Sequence, residues 1–441
     1  MGVFAARAEK VTLSLQIADL AADDVPLRNF PPVRSEYLPV KRRFLSTVLR
    51  IRVLVQGQEY TTSRGAPPED RAVHLPSLNE GIAMSSQKFY KSRACRIAGV
   101  LTATLFAAAA AVADEPERGI FVLTSTNNPS ANEVVVFKLD AAAAPSLTLV
   151  NLLPTQGLGG ASGNAGILQF KDDHGAVANY GSHSVSRIAR HHDYISIDGT
   201  IGLAPNCAKP DSVALTEDHL FVVGANCAES HAWPSGSVDG GVVALSDPSA
   251  AQIAVGKDWA AVTMTSGSLL QLPLKSDGAL TGSSAAVTLP STADNTPLGA
   301  AFWDNVLGFT PAHSPDSFAI VNKSRDVFPI TGPTPPYPTN APCWVAKGPG
   351  NVWYTGNSPG HAISVFLTDG QGGVFYKSLP LPGAPTDITV SKDNKWLAVI
   401  YSVGGSAYVA VYGIDAYGDL HWSATSSPIG VASFSGVAIS E

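Results

Sequence analysis

Helical periodicity is the first thing this 441-residue sequence lacks. After Asp114, short apolar runs are interrupted throughout by Gly, Pro, Ser, Asn and Asp. That pattern argues against helical architectures and for many short strands joined by turns. Signature motifs are missing as well. No HExxH, P-loop or strand–helix GxGxxG occurs, so zinc proteases and a nucleotide cofactor find no support. Arginine is scarce beyond Asp114, where only Arg118, Arg187, Arg190 and Arg325 remain. Long hydrophobic runs are almost absent too. The run Ile97 to Ala113 falls short of the roughly 20 residues of a membrane span, and nothing else in the chain could span.

That single run has a basic head, Lys88, Lys91, Arg93 and Arg96, and ends in Ala111-Val112-Ala113 before Asp114-Glu115-Pro116. This is the layout of a secretory signal peptide, and a transmembrane anchor is the competing reading. Charge changes across it. Residues 1–113 hold 15 of the 29 Lys and Arg but 9 of the 36 Asp and Glu, and residues 114–441 are strongly acidic. The expected organisation is an upstream or disordered extension at 1–83, a signal at 84–113 and one mature domain at 114–441. Met84 would be the true start. The mature protein is then periplasmic or secreted, and its acidity disfavours nucleic acid and anionic membranes.

The mature part repeats. Runs beginning at Gly119, Gly175, His219, Trp259, Asn305, Asn351 and Trp396 recur near the period of four-stranded propeller blades, roughly 40–50 residues. A shorter apolar run precedes each except the first, and a third strand follows most, GVVALS at Gly241 among them. The segment Phe434 to Ile439 has the inner-strand pattern with nothing after it. The expected fold is all-β: a seven-bladed β-propeller closed by the C-terminal strand joining the N-terminal blade.

A family resemblance enters at AVANYGSHSVSRI, Ala176 to Ile188, and continues at Pro210-Asp211-Ser212-Val213 and Leu220 to Val223. These stretches resemble the seven-bladed lactonase family, which includes 6-phosphogluconolactonases and carboxymuconate cyclases. Elsewhere the chain resembles exported propellers with YVTN-type repeats. The resemblance implies a site at the channel mouth that handles a small cyclic ester. Family histidines are replaced here by Asn164-Ala165-Gly166 and Pro210-Asp211-Ser212, and no arginine starts an inner strand. Asp211 is therefore the candidate base, since a desolvated carboxyl can serve as one. The Asn179-Tyr180 pair belongs to the best-matching stretch.

Propeller topology collects Asn164, Asp211, Asn340 and Asp387 on one face from the loops entering inner strands. Asn179, Tyr180 and His313 come from loops between second and third strands. Such oxygens suit a polar ligand or Ca²⁺, although Asn and Asp also form turns for their own sake. A non-catalytic propeller that binds a small molecule, Ca²⁺ or a protein partner is the alternative function, and under either reading a monomer is expected. Cys207 and Cys227 should open onto this face and form a disulfide, and Cys343 should be a buried free thiol. Arg190-His191-His192-Asp193 reads as a solvated strand edge rather than a metal cluster, because adjacent strand residues face opposite ways. His174 and His219 are expected exposed on the opposite face, and the seven tryptophans read mainly as core between blades.

Overall fold

The computed structural model describes residues 52–55, 58–61, 118–162, 164–313, 317–332, 341–430 and 433–441. The chain divides into two compact units, Met1–Gly99 and Val100–Glu441. In the first, Arg52–Val55 and Gln58–Thr61 form an antiparallel pair. The expected signal segment, 84–113, lies outside the described residues. Among the described residues no helix is long and apolar enough to cross a membrane.

The second unit is a seven-bladed β-propeller, seven antiparallel sheets of four strands each. Its inner strands are Ser435–Ser440, Leu168–Lys171, Pro210–Leu215, Ala250–Val255, Pro297–Trp303, Pro342–Lys347 and Ala384–Val390. Ser435–Ser440 pairs with Ile120–Ser125, so the last strand of the chain is the first of blade 1 and the ring closes as expected. Second strands read as unbroken apolar runs because each blade is covered on both sides. In blade 3, His219–Gly224 is buried along its whole length. Between blades 1 and 2, Phe121, Leu123 and Val136 interleave with Leu168, Val177 and Ile188.

Two features differ from the sequence reading of this domain. In blade 3 the third strand is Cys227–Ala232, and the GVVALS segment supplies only a short fourth strand, Val243–Ala244. The third strand was hidden by its own polarity, since Glu229, Ser230 and His231 are all fully buried. Two tryptophans also escape the core. Trp259 and Trp353 are buried, whereas Trp303 and Trp422 are 41% and 66% exposed.

Six of the seven inner-to-second strand pairs carry a bulge at the same height. The residues left without a partner there include Asp211, Ala251, Leu298, Cys343, Thr386 and Gly436. Three of the entering loops place a left-handed residue directly before a proline, at Lys209-Pro210, Thr296-Pro297 and Ala341-Pro342. Gly436 is left-handed as well, and a Cβ on it would stand 2.7 Å from Ile167. Only glycine lets the closing strand come that near blade 2.

Candidate functional site at the channel mouth

The bulges shape a cavity of about 560 Å³ at the end of the channel where inner strands begin. Leu298, Cys343 and Thr386, three of the bulge residues, line it, with Asn164, His313, Trp344 and Phe434. Ala251, Leu298 and Cys343 also pack on one another. No lysine or arginine is among the described lining residues.

Asp211 holds the equivalent bulge position in blade 3. It is buried, and its carboxylate makes no hydrogen bond to any described residue. Its main-chain carbonyl accepts Nδ2 of Asn164, which ties the loops entering blades 2 and 3 together. Burial pushes the Asp211 carboxyl up to about 7, opposed only by the nearby Lys209 ammonium. The Lys209 ammonium itself lies 5.6 Å from the centre of the half-buried Tyr180 ring.

Asp387 stands elsewhere. It lines a separate channel cavity of about 220 Å³, below the mouth, that ends toward Phe302 and Lys347. Its carboxyl accepts the Ile388 N–H at 2.8 Å, and the N–H groups of Gly166 and Val437 face it too. Burial pushes it up to about 7 against those three donors. The expected convergence of Asp211 and Asp387 on one ligand is therefore replaced by a division of labour: Asp387 clasps blades 7, 2 and 1 together.

Asn179 is committed to the protein in the same way. Its Oδ1 accepts from Thr155 Oγ1 at 2.8 Å and Asn132 Nδ2 at 3.0 Å, and its Nδ2 donates to Ser186 Oγ at 2.7 Å. With every valence used and no exposure, it braces the blade instead of facing a ligand. The brace recurs at an offset of seven residues, as Ser125 with Asn132 and Asn357 with Ser364. Asn340 lies outside the described residues.

The disulfide joins Cys207 to Cys227, with Cα atoms 5.5 Å apart. Cys343 is a free thiol, only half-buried, and burial pushes it up to about 11. His219 was expected in solvent but is buried, Nδ1 lying 2.7 Å from Asp239 Oδ2 and Nε2 2.6 Å from the Asp277 carbonyl. A facing carboxylate and carbonyl make burial tolerable there. In the Arg190–Asp193 run, the histidines and aspartate are exposed as expected, but Arg190 is buried in the seam between blades.

One constellation went unseen in the sequence. Glu229 and His231 point to one side of the blade 3 third strand, both fully buried, with Oε1 and Nε2 2.9 Å apart. Both Glu229 oxygens also accept the Ala204 N–H, and His231 Nδ1 faces the Gly236 carbonyl at 3.0 Å. Desolvation lowers the His231 imidazole, but the bonds to Glu229 and Gly236 together outweigh it and hold it above its ordinary value. The available signal was a Glu-x-His pair at the strand period inside a run of otherwise small residues.

No protein-family model matches the chain, and no curated protein matches it. Among solved structures, it superimposes on a protein from Lactobacillus plantarum with a TM-score of 0.56 and 14% identity, over 73% of this chain and 99% of that one. A provisionally named 6-phosphogluconolactonase from Bacteroides uniformis gives 0.54 and 14%, over 74% and 100%. One from Bacteroides fragilis, also provisionally named, gives 0.52 and 10%, over 74% and 99%. At these identities the likeness establishes the fold alone, a seven-bladed β-propeller.

Proposed function

We propose that the mouth cavity binds a small uncharged cyclic ester and opens it by water addition, with Asp211 as general base. The observation that carries this is the position of Asp211. Asp211 is not itself part of the described cavity wall, but it holds the bulge position whose counterparts Leu298, Cys343 and Thr386 line the cavity, and the lining residue Asn164 bonds its carbonyl. Its carboxyl has no hydrogen-bond partner among the described residues, and burial pushes it up to about 7. In its ionised form Asp211 takes a proton from water as the water attacks the acyl carbon, and returns it to the ring oxygen as the acyl–oxygen bond breaks, so the ring oxygen leaves as the alcohol and the carboxylate is regenerated. Asn164 acts as a positioning residue by fixing the backbone at Asp211. The absence of lysine and arginine from the described lining favours a neutral substrate over a phosphorylated one.

A purely binding role is the second reading, favoured by the apolar wall of Leu298, Trp344 and Phe434. A lactone panel separates the two. Turnover that disappears in Asp211→Asn, with a melting temperature that does not fall, supports the enzyme. Lactones that raise the melting temperature of the wild type without being consumed support the binder.

We also place the mature protein outside the cytoplasm, beginning near Asp114. The Cys207–Cys227 disulfide supports an oxidising compartment. Mass spectrometry of the exported protein tests this, and peptides from residues 1–83 in that fraction would contradict it.

A further inference from the structure

The disulfide has a neighbour that a disulfide does not need. The Glu229 carboxylate lies beside it, and the ligand atoms of Cys207, Cys227 and Glu229 all fall within 4.8 Å of one another, with all three residues buried. We propose that, once the Cys207–Cys227 bond is reduced, the two sulfurs and Glu229 form a buried site for a thiophilic divalent cation of the zinc class.

The geometry requires little movement. Zinc bonds sulfur at about 2.3 Å and carboxylate oxygen at about 2.0–2.2 Å, so its tetrahedral ligands stand roughly 3.5–3.8 Å apart. The sulfurs must separate from bonding distance to that value, and a carboxylate oxygen within 4.8 Å of both need move by at most about an ångström. The three protein ligands leave a fourth position for water. Two thiolates select zinc over calcium, which takes oxygen ligands only. A supporting shell exists: His231 reaches Glu229 Oε1 at 2.9 Å and the Ala204 N–H bonds both carboxylate oxygens. Hydrogen bonds of this kind orient metal-binding carboxylates.

A dithiol reductant delivers two electrons and two protons to the S–S bond and leaves as its own disulfide. The cation then displaces the two thiol protons to solvent as the metal–sulfur bonds form. The loop thus held, from Ala204 to Lys209, leads directly into Asp211. A bound cation would re-pin this loop when the covalent tie is open.

The test uses the full chain, reduced with a phosphine in anaerobic buffer and titrated with Co²⁺, then competed with Zn²⁺. One equivalent of Co²⁺ with thiolate-to-cobalt charge-transfer absorption is expected, and none before reduction. Glu229→Gln, which keeps both sulfurs, and His231→Gln are expected to weaken Zn²⁺ binding by about 10–100-fold. Cys95→Ser and Cys343→Ser should leave it unchanged. Uptake without the charge-transfer band, equal uptake by Cys207→Ser, or an unaltered affinity in Glu229→Gln would each overturn the site. If Cys207→Ser does not fold, the Glu229→Gln affinity decides.

Discussion

Arg190 donates through Nη1 to the hydroxyl of Ser440 at 2.8 Å, across 250 residues of chain. Its Nη2 reaches the Gly119 carbonyl at 2.5 Å and its guanidinium lies 5.2 Å from the centre of the Phe121 ring. One side chain of blade 2 thus grips both the strand that closes blade 1 and the segment just before its partner. Arg190→Ala should destabilise the propeller by about 2–3 kcal/mol, read from denaturant unfolding, because a buried hydroxyl and a part-buried carbonyl lose their donor along with the packing. Arg187→Ala, on a more exposed part of the same strand, should cost well under half of that.

Asp211 makes a pH prediction with a definite sign. Its carboxyl sits near 3.8 in the unfolded chain and at about 7 when folded. The stability tied to its protonated form is complete below about pH 4 and is lost as pH rises through 7. Asp211→Asn mimics that form, so it should match the wild type near pH 4 and melt higher at pH 8. The difference is about 4 kcal/mol at most, at 1.36 kcal/mol per pH unit. If Asp211 is the base, wild-type kcat/KM should rise with pH to a plateau above about 7.

Asn179 and Asn357 should behave alike despite the family-like motif around the first. Each bonds a serine seven residues on from full burial. Alanine at either is expected to cost about 2–3 kcal/mol, since two or more buried partners are left unmade. Ligand-induced stabilisation measured on the folded fraction should persist in both variants.

Asp387→Leu provides the contrast to Asp211→Asn. It strands the N–H groups of Ile388, Gly166 and Val437, which meet in one carboxyl. A loss of about 3 kcal/mol or more in chemical unfolding is expected, whereas Asp211→Asn removes no hydrogen bond made by the side chain. Equal stability losses in the two variants would contradict the different roles assigned to them.

The blade count and the ring closure were legible because burial on both sides of each second strand leaves an uninterrupted apolar run, a signal that survives repetition. Side-chain commitment was not legible in the same way. Asn179 looks the same in sequence whether it faces a ligand or three buried hydroxyl and amide partners from strands and loops around it. Asp211 and Asp387 both precede inner-strand runs, yet a bulge separates them in height: Asp211 is the unpaired residue, whereas Asp387 follows its bulge and pairs with Ile400. Bulges insert single residues, and one residue reverses the face that a side chain meets. Glu229 and His231 were hidden for another reason, since polar residues in a short run read as loop until a partner for their charge is known.

The strand Ser435–Ser440 has a consequence for the order of events during synthesis. Ile120–Ser125 leaves the ribosome more than 300 residues before the segment that completes its sheet. Until then blade 1 has three strands and a bare inner edge facing the channel. The ring therefore cannot shut early around a partial set of blades. Contacts so distant in sequence also place closure among the slow steps of folding. Whatever occupies the channel mouth can meet a finished wall only after the final residues have been made.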